Sequence, residues 1–155
     1  MKAYKQPQSV LVVIHTRALD VLLLERARQP GLWQSVTGSR EGNEPPRATA
    51  QREVMEETGI DSSRYTLRDW QIDNTYEIFA TWRDRYAPGV THNTEHVFAL
   101  ELPERIDIIT APDEHRAYRW LPWQEAAEHC FSWSNRDAIR LLSAQAMNKA
   151  PAPTP

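Results

Sequence analysis

Glu53, Glu56 and Glu57 stand at i, i+3 and i+4 in a segment with helical periodicity. At about 100° per residue they share a sector of about 100° on one face, so three carboxylates converge there. Val54, Met55 and Thr58 fall on the other side, where they can pack on a sheet. Like charges four residues apart destabilise a helix by a few tenths of a kcal/mol, and Arg52 offsets only part of that. Two readings follow. The acids are either a solvated helix face or a seat for a hard divalent cation, which takes carboxylate oxygens together with phosphate oxygens and water. In the second case the chemistry is hydrolysis of a phosphate chain: Mg²⁺ neutralises and orients it, and a carboxylate accepts the proton of the attacking water. Gly38 suits close backbone approach to a metal or phosphate, and equally a turn that only glycine tolerates.

The elements that must position these groups can be read coarsely. Val10 to His15 and Val21 to Leu24 read as strands joined by the turn Arg17 to Asp20, hence a hairpin. Trp33 to Thr37 extends as a strand before a loop from Gly38 to Asn43. Pro45 and Pro46 suit the first turn of a helix capped by Asn43 or Glu44, and Gly59 ends it. Glu77 to Trp82, His96 to Leu102 and Tyr118 to Leu121 look like strands, and Trp123 to His129 and Asn135 to Met147 like helices. The order predicts an α/β domain with a mixed sheet between helices.

The 155 residues fit one domain, residues 1–149, followed by a Pro-rich tail over 150–155 expected to be disordered. A formal net charge of -3 gives no general attraction to nucleic acid. The single cysteine, Cys130, cannot form an intramolecular disulfide, which favours a reducing cytoplasm. The start is polar and the longest apolar run far too short for a bilayer, so neither a leader nor a membrane segment is expected. The sequence carries no signature of an oligomeric state.

Gly38, five residues, Glu44, seven residues, then Arg52-Glu53-Val54-Met55-Glu56-Glu57-Thr58-Gly59-Ile60 is similar at every defining position to the Nudix box, GX₅EX₇REUXEEXGU with U apolar. At average residue usage the seven exact letters match a given start on the order of once in 10⁸. The resemblance implies the Nudix α/β/α sandwich. It also implies that Glu53, Glu56 and Glu57 ligate Mg²⁺ (Mn²⁺ able to substitute), with Gly38 beside the metal and Arg52 orienting a neighbouring glutamate.

Outside the box, from about Tyr4 to Arg140, the chain resembles the bacterial subgroup that hydrolyses dihydroneopterin triphosphate in folate synthesis. The carriers are Tyr4-Lys5, Trp33 to Ser39, Tyr76-Glu77-Ile78-Phe79, Arg85 to Thr91, Asn93-Thr94-Glu95 and Ser132 to Arg136. The resemblance implies that Lys5, Arg26, Thr37, Tyr76, Glu77, Ile78, Phe79 and Ser132 contact a pterin or nucleoside triphosphate. It implies too that Glu114, or Asp113 if the register shifts by one, brings a further acid to the metals. Lys5 and Arg26 make sense as charge-assisted phosphate donors. Tyr76 and Trp33 could sandwich a pterin, though aromatics beside strands are more often core. His92 and His96 read as surface or hydrogen-bonded residues. The pattern departs from the subgroup at Gly42-Asn43, at Arg40 and in the length of Leu102 to Glu114. Two alternatives stay open: a Nudix hydrolase of another nucleotide (dATP, an oxidised dNTP or a dinucleoside polyphosphate), and a non-catalytic Nudix-fold ligand sensor.

Overall fold

Val10 to Ile14 is aliphatic at every position, so it has no face to leave in water and must be covered on both sides. The computed structural model describes residues 3–149 and gives that run the centre of the sheet as β1 (Gln8–Thr16). The tail expected over 150–155 lies outside the described residues. β1 pairs in parallel with β6 (His92–Leu102) and antiparallel with β2 (Asp20–Arg26) and β4 (Val36–Ser39). β3 (Trp33–Gln34) and β7 (His115–Pro122) pair with β2, and β5 (Thr66–Glu77) pairs with β6. The result is the expected mixed sheet, in the order β3-β2-β1-β6-β5.

Alternation along β1 divides two cores. Val10, Val12 and Ile14 pack with Phe98, Leu100 and the helix α1 (Pro46–Thr58) through Ala50 and Val54. Leu11 and Val13 pack with Val97 and, on the opposite face, with α2 (Trp123–His129) and α3 (Trp133–Lys149) through Ala126, Ala138, Ile139 and Leu142. Burial of each such side chain contributes roughly 1.5–3 kcal/mol. Among the described residues no helix is long and apolar enough to cross a membrane.

Several expectations need correction. Pro45, not Asn43 or Glu44, is the N-cap residue of α1, and it offers no side-chain cap; Glu44 is occupied elsewhere. Met55 is 48% exposed, so only Val54 and Thr58 of the expected trio are buried. The strand from Trp33 to Thr37 breaks at Ser35, whose N–H donates to Asn135 Oδ1 at 2.8 Å, and it resumes through Gly38 and Ser39. Glu77 to Trp82 is no strand: β5 ends at Glu77 and Ala80–Arg85 forms a 3₁₀ turn, fastened by Trp82 N–H to Phe79 O at 2.8 Å.

α1 ends where Gly59 takes φ 74°, its N–H donating to Met55 O at 2.9 Å. Here the loop from β6 docks on the helix end, with Ile109 N–H on Thr58 O at 3.1 Å. A Cβ on Gly59 would meet Ile109 Cβ at 3.3 Å in a conformation that L side chains rarely adopt. We expect Gly59→Ala to lose about 1–2 kcal/mol of stability in urea unfolding. An unchanged midpoint would show that this cap does not hold α1 to the loop.

Candidate active site

The loop before α1 is held to the helix by one guanidinium. Arg52 donates from Nε to Glu44 Oε2 at 3.0 Å and from Nη2 to Glu44 Oε1 at 2.8 Å, a bidentate pair, and from Nη2 to Ser39 O at 2.9 Å. Its Nη1 donates to Glu53 Oε1 at 2.9 Å and to Glu56 Oε2 at 3.3 Å. Hydrogen bonds from Arg52 hold the Glu44 carboxyl down to about 2. Arg52 therefore fixes the end of β4, the loop and two of the three box acids together.

The three glutamates do not share one environment. Glu56 is exposed at the rim, while Glu53 is 8% and Glu57 1% exposed. Gly38 lets Glu53 lie flat on β4, since a Cβ there would fall 2.0 Å from Glu53 Cδ. Burial, with the neighbouring Glu53 charge, pushes Glu57 well above the usual carboxylate range, and burial also raises Glu53. Neither Glu57 oxygen has a hydrogen-bond partner. The Glu53 carboxyl and the Thr37 backbone stand beside it.

β7 adds the remaining groups. Ala27 N–H donates to Glu114 O at 2.9 Å and His115 pairs with Arg26, which sets the register of the loop against β2. Ligand atoms of Glu57, Glu114 and His115 then lie within 4.8 Å of one another, and Asp113 is not among them. Arg26 Nη1 donates to Gln34 Oε1 at 3.1 Å, which turns the Gln34 amide N–H toward His115 Nε2 at 3.2 Å. Nε2 is thereby an acceptor. Burial holds the ring down to about 4, so it is neutral, and its Nε2 lies 3.5 Å from Glu57 Oε1. Gln34 and His115 were missed by the sequence reading because neither belongs to the box.

Two buried oxygens without donors, next to a second carboxylate, are the donor set of a hard divalent cation. The chemistry of these residues fits one, with Glu53, Glu57 and Glu114 as oxygen ligands and His115 alongside.

The other expected contacts fall around this centre. Lys5 lies on the exposed surface and forms a bridge with Tyr86; partial burial of its ammonium and the charge of Arg85 lower its pKa. Arg26 spans two clusters, its charge felt by Glu57 and Glu114 while its Cζ sits 4.8 Å over the Trp82 ring. Trp82 meets Phe79 and Phe131 edge-to-face beside it, and the two Phe rings are tilted to each other. Thr37 Oγ1 donates to Val10 O at 3.0 Å, Ile78 is buried, and Glu77 is paired with Arg83. Ser132 Oγ accepts from Asn135 N at 3.2 Å at the start of α3. Trp33 and Tyr76 cannot sandwich a ring as expected, because β3 and β5 are opposite edges of the sheet order. Four strand spacings put them about 19 Å apart. His92 and His96 are engaged by Thr91 and Asp73 respectively.

A second polar corner lies on the α3 side of the sheet. Tyr76 pairs with Asn93 and Asn74 with Glu95, which puts all four side chains on one face. Asn93 Nδ2 donates to Ser9 Oγ at 2.7 Å and to Tyr76 OH at 3.1 Å. Glu95 is 4% exposed, and burial pushes it up to about 7 against hydrogen bonds from Ser134, Asn74 and Tyr76.

Comparison with known proteins gives consistent results. A profile of the NUDIX domain matches residues 5–142. The chain is 49% identical over 141 residues to the dihydroneopterin triphosphate diphosphatase of Escherichia coli (strain K12), covering 89% of this chain and 93% of that protein. It is 41% identical over 143 residues to the protein of the same name from Haemophilus influenzae, covering 90% and 89%. The solved E. coli dihydroneopterin triphosphate pyrophosphohydrolase superposes with a TM-score of 0.86 at 47% identity, over 93% of this chain and 99% of that one. A C. elegans Ap4A hydrolase binary complex superposes at 0.72 with 19% identity over 91% and 98%, a likeness of fold alone.

Glu95 makes stability depend on pH. Its folded pKa of about 7 lies above the unfolded value of 4.5, so its contribution is fully present below about 4.5 and is lost as pH rises through about 7. We expect the stability of the unliganded chain relative to Glu95→Gln to fall by up to about 3 kcal/mol between pH 5 and pH 8. Parallel stability curves for the two proteins would mean that Glu95 is ionised at little cost.

Proposed function

The chain belongs to the Nudix family, and on that premise we propose that it hydrolyses dihydroneopterin triphosphate to dihydroneopterin monophosphate and pyrophosphate, with Mg²⁺ as cofactor, in the folate synthesis of the cytoplasm. The observation that carries the chemistry is the buried Glu57 carboxyl, which has no hydrogen-bond donor and stands beside Glu114 and His115. The substrate follows from the identity to the two diphosphatases. The buried thiol of Cys130, pushed up to about 12 by burial, suits a reducing compartment.

When bound, Mg²⁺ supplies Lewis acidity and charge neutralisation to the phosphate chain. The rest is the work of the chain's own residues. Glu53 and Glu57 would hold the cation from α1, and Arg52 keeps Glu53 in place by its Nη1 bond. Lys5 and Arg26 meet the phosphate oxygens with N–H donors and positive charge. The substrate is thereby presented in one orientation, which removes much of the entropy a bimolecular attack loses. Glu114, exposed yet within reach of Glu57, accepts the proton of the attacking water at its carboxylate. Gln34 keeps His115 in the tautomer that adds no N–H to Glu57 and so leaves its oxygens open.

Excess chelator should abolish hydrolysis and added Mg²⁺ restore it, with pyrophosphate and the pterin monophosphate appearing in equal amounts. Release of single orthophosphates would contradict the assigned reaction, and full activity in chelator the cofactor. Separately, Glu114→Gln is expected to lower turnover at saturating substrate at least tenfold, within the range of about 10² to 10⁴ typical of a general base, while Asp113→Asn changes it little. The reverse order of effects would move the loop acid to Asp113.

A further inference from the structure

The corner of Tyr76, Asn93 and Glu95 lies outside the acid cluster, and it is incomplete. Glu95 Oε1 and Asn93 Oδ1 are both buried and both lack a partner. Leaving a buried acceptor unmade costs about 1–3 kcal/mol, and such groups in a native fold call for an explanation. Here two occur two residues apart on one strand face, each residue a single hydrogen bond from the Tyr76 hydroxyl. Every donor the corner owns is already engaged: Asn93 Nδ2 serves Ser9 and Tyr76, while Ser134 and Asn74 serve Glu95. With Glu95 ionised, what is left over is acceptors only.

The corner is joined to the catalytic side through short links. Tyr86 hydrogen-bonds Ser39 and is close enough to Tyr76 to be felt electrostatically. Ser39 is the residue after Gly38, its carbonyl bound by Arg52, and Lys5 bridges Tyr86. Lys5 and the Arg52 clamp are thus each connected to the corner through Tyr86.

We propose that Glu95, with Asn93, selects the heterocycle of the substrate, their two unpartnered oxygens accepting hydrogen bonds from a ring edge that carries adjacent N–H groups. This deepens the proposed function and rests on it, since it assigns the ring seat of the same site. A dihydropterin presents such an edge at its ring N–H and exocyclic amine, and guanine presents the same one. Adenine does not, because its exocyclic amine stands beside a ring acceptor that would face the acceptors of Glu95 and Asn93. A site built to complete polar groups in this way rejects a ligand that leaves them unpaired. The cost that burial of Glu95 brings to the free chain is then recovered only when the right ring arrives.

The test compares wild type and Glu95→Gln on three substrates: dihydroneopterin triphosphate, dGTP and dATP. We expect the variant to lose at least tenfold in kcat/KM on the first two, mainly through KM, and to lose nothing on dATP. In parallel, calorimetric binding of neopterin, which carries no phosphate, should weaken at least tenfold in the variant without added metal. An equal loss on all three substrates, or an unchanged ratio with unchanged neopterin binding, overturns the proposal. Should Glu95→Gln not fold, Asn93→Ala is read by the same ratios, with the same outcomes for and against. The dGTP to dATP ratio keeps this test separate from the substrate assignment: if the wild type leaves dihydroneopterin triphosphate intact, the function fails, while the ratio still decides the ring seat.

Discussion

A carboxylate cannot remain charged away from water unless something meets its charge, and Glu57 is buried against the like charge of Glu53. The surroundings explain how the fold sustains this. Val54 and Ala50 on the same helix are fully buried in the core, so α1 is docked firmly enough to carry a costly acid on its neighbouring face. Gly38 removes the one Cβ that would push Glu53 away from the strand. Arg52 takes up Glu44, Glu53 and Glu56, but its reach ends before Glu57.

The polar residues around the acids serve to keep donors out. Arg26 has only donors, so it fixes which end of the Gln34 amide faces it, and that in turn fixes the acceptor nitrogen of His115. Each bond is ordinary, and together they keep the ring N–H of His115 away from Glu57. The same logic recurs at Glu95 and Asn93, where internal donors are used up and acceptors remain. Both ends of the site are thus complementary to a ligand that brings cations or N–H groups, and each end carries a polar group that lacks a partner in the free chain.

How far this was legible in the sequence depends on how local each feature is. The box acids, α1 with its end at Gly59, and α2 could be read because they rest on spacing within one segment and, for α1, on the glycine that stops it. β5 escaped because its apolar residues are divided between two faces: Leu67 packs with the α1 side, Trp70 and Ile72 with the α3 side. A bulge between Asp69 and Asp73, with Gln71 at φ 56°, further breaks the pattern. The pairing of Trp33 with Tyr76 failed because strand order is a long-range property. His115, Gln34 and Glu95 could not be singled out as they were, since their significance lies in which donors are missing, and only the packed structure shows that.

The central claim is that Glu57 sits in the free chain as an acid short of a partner until a divalent cation binds. Calorimetric titration of the chain with Mg²⁺ at pH 7, repeated in two buffers of different ionisation enthalpy, tests it most directly. With Glu57 raised well above the usual carboxylate range by burial and by Glu53, the account predicts that binding expels a proton, so the apparent heat differs between buffers. Binding with the same heat in both buffers would contradict it, because the acids would then already be ionised and the site would not be waiting for a cation.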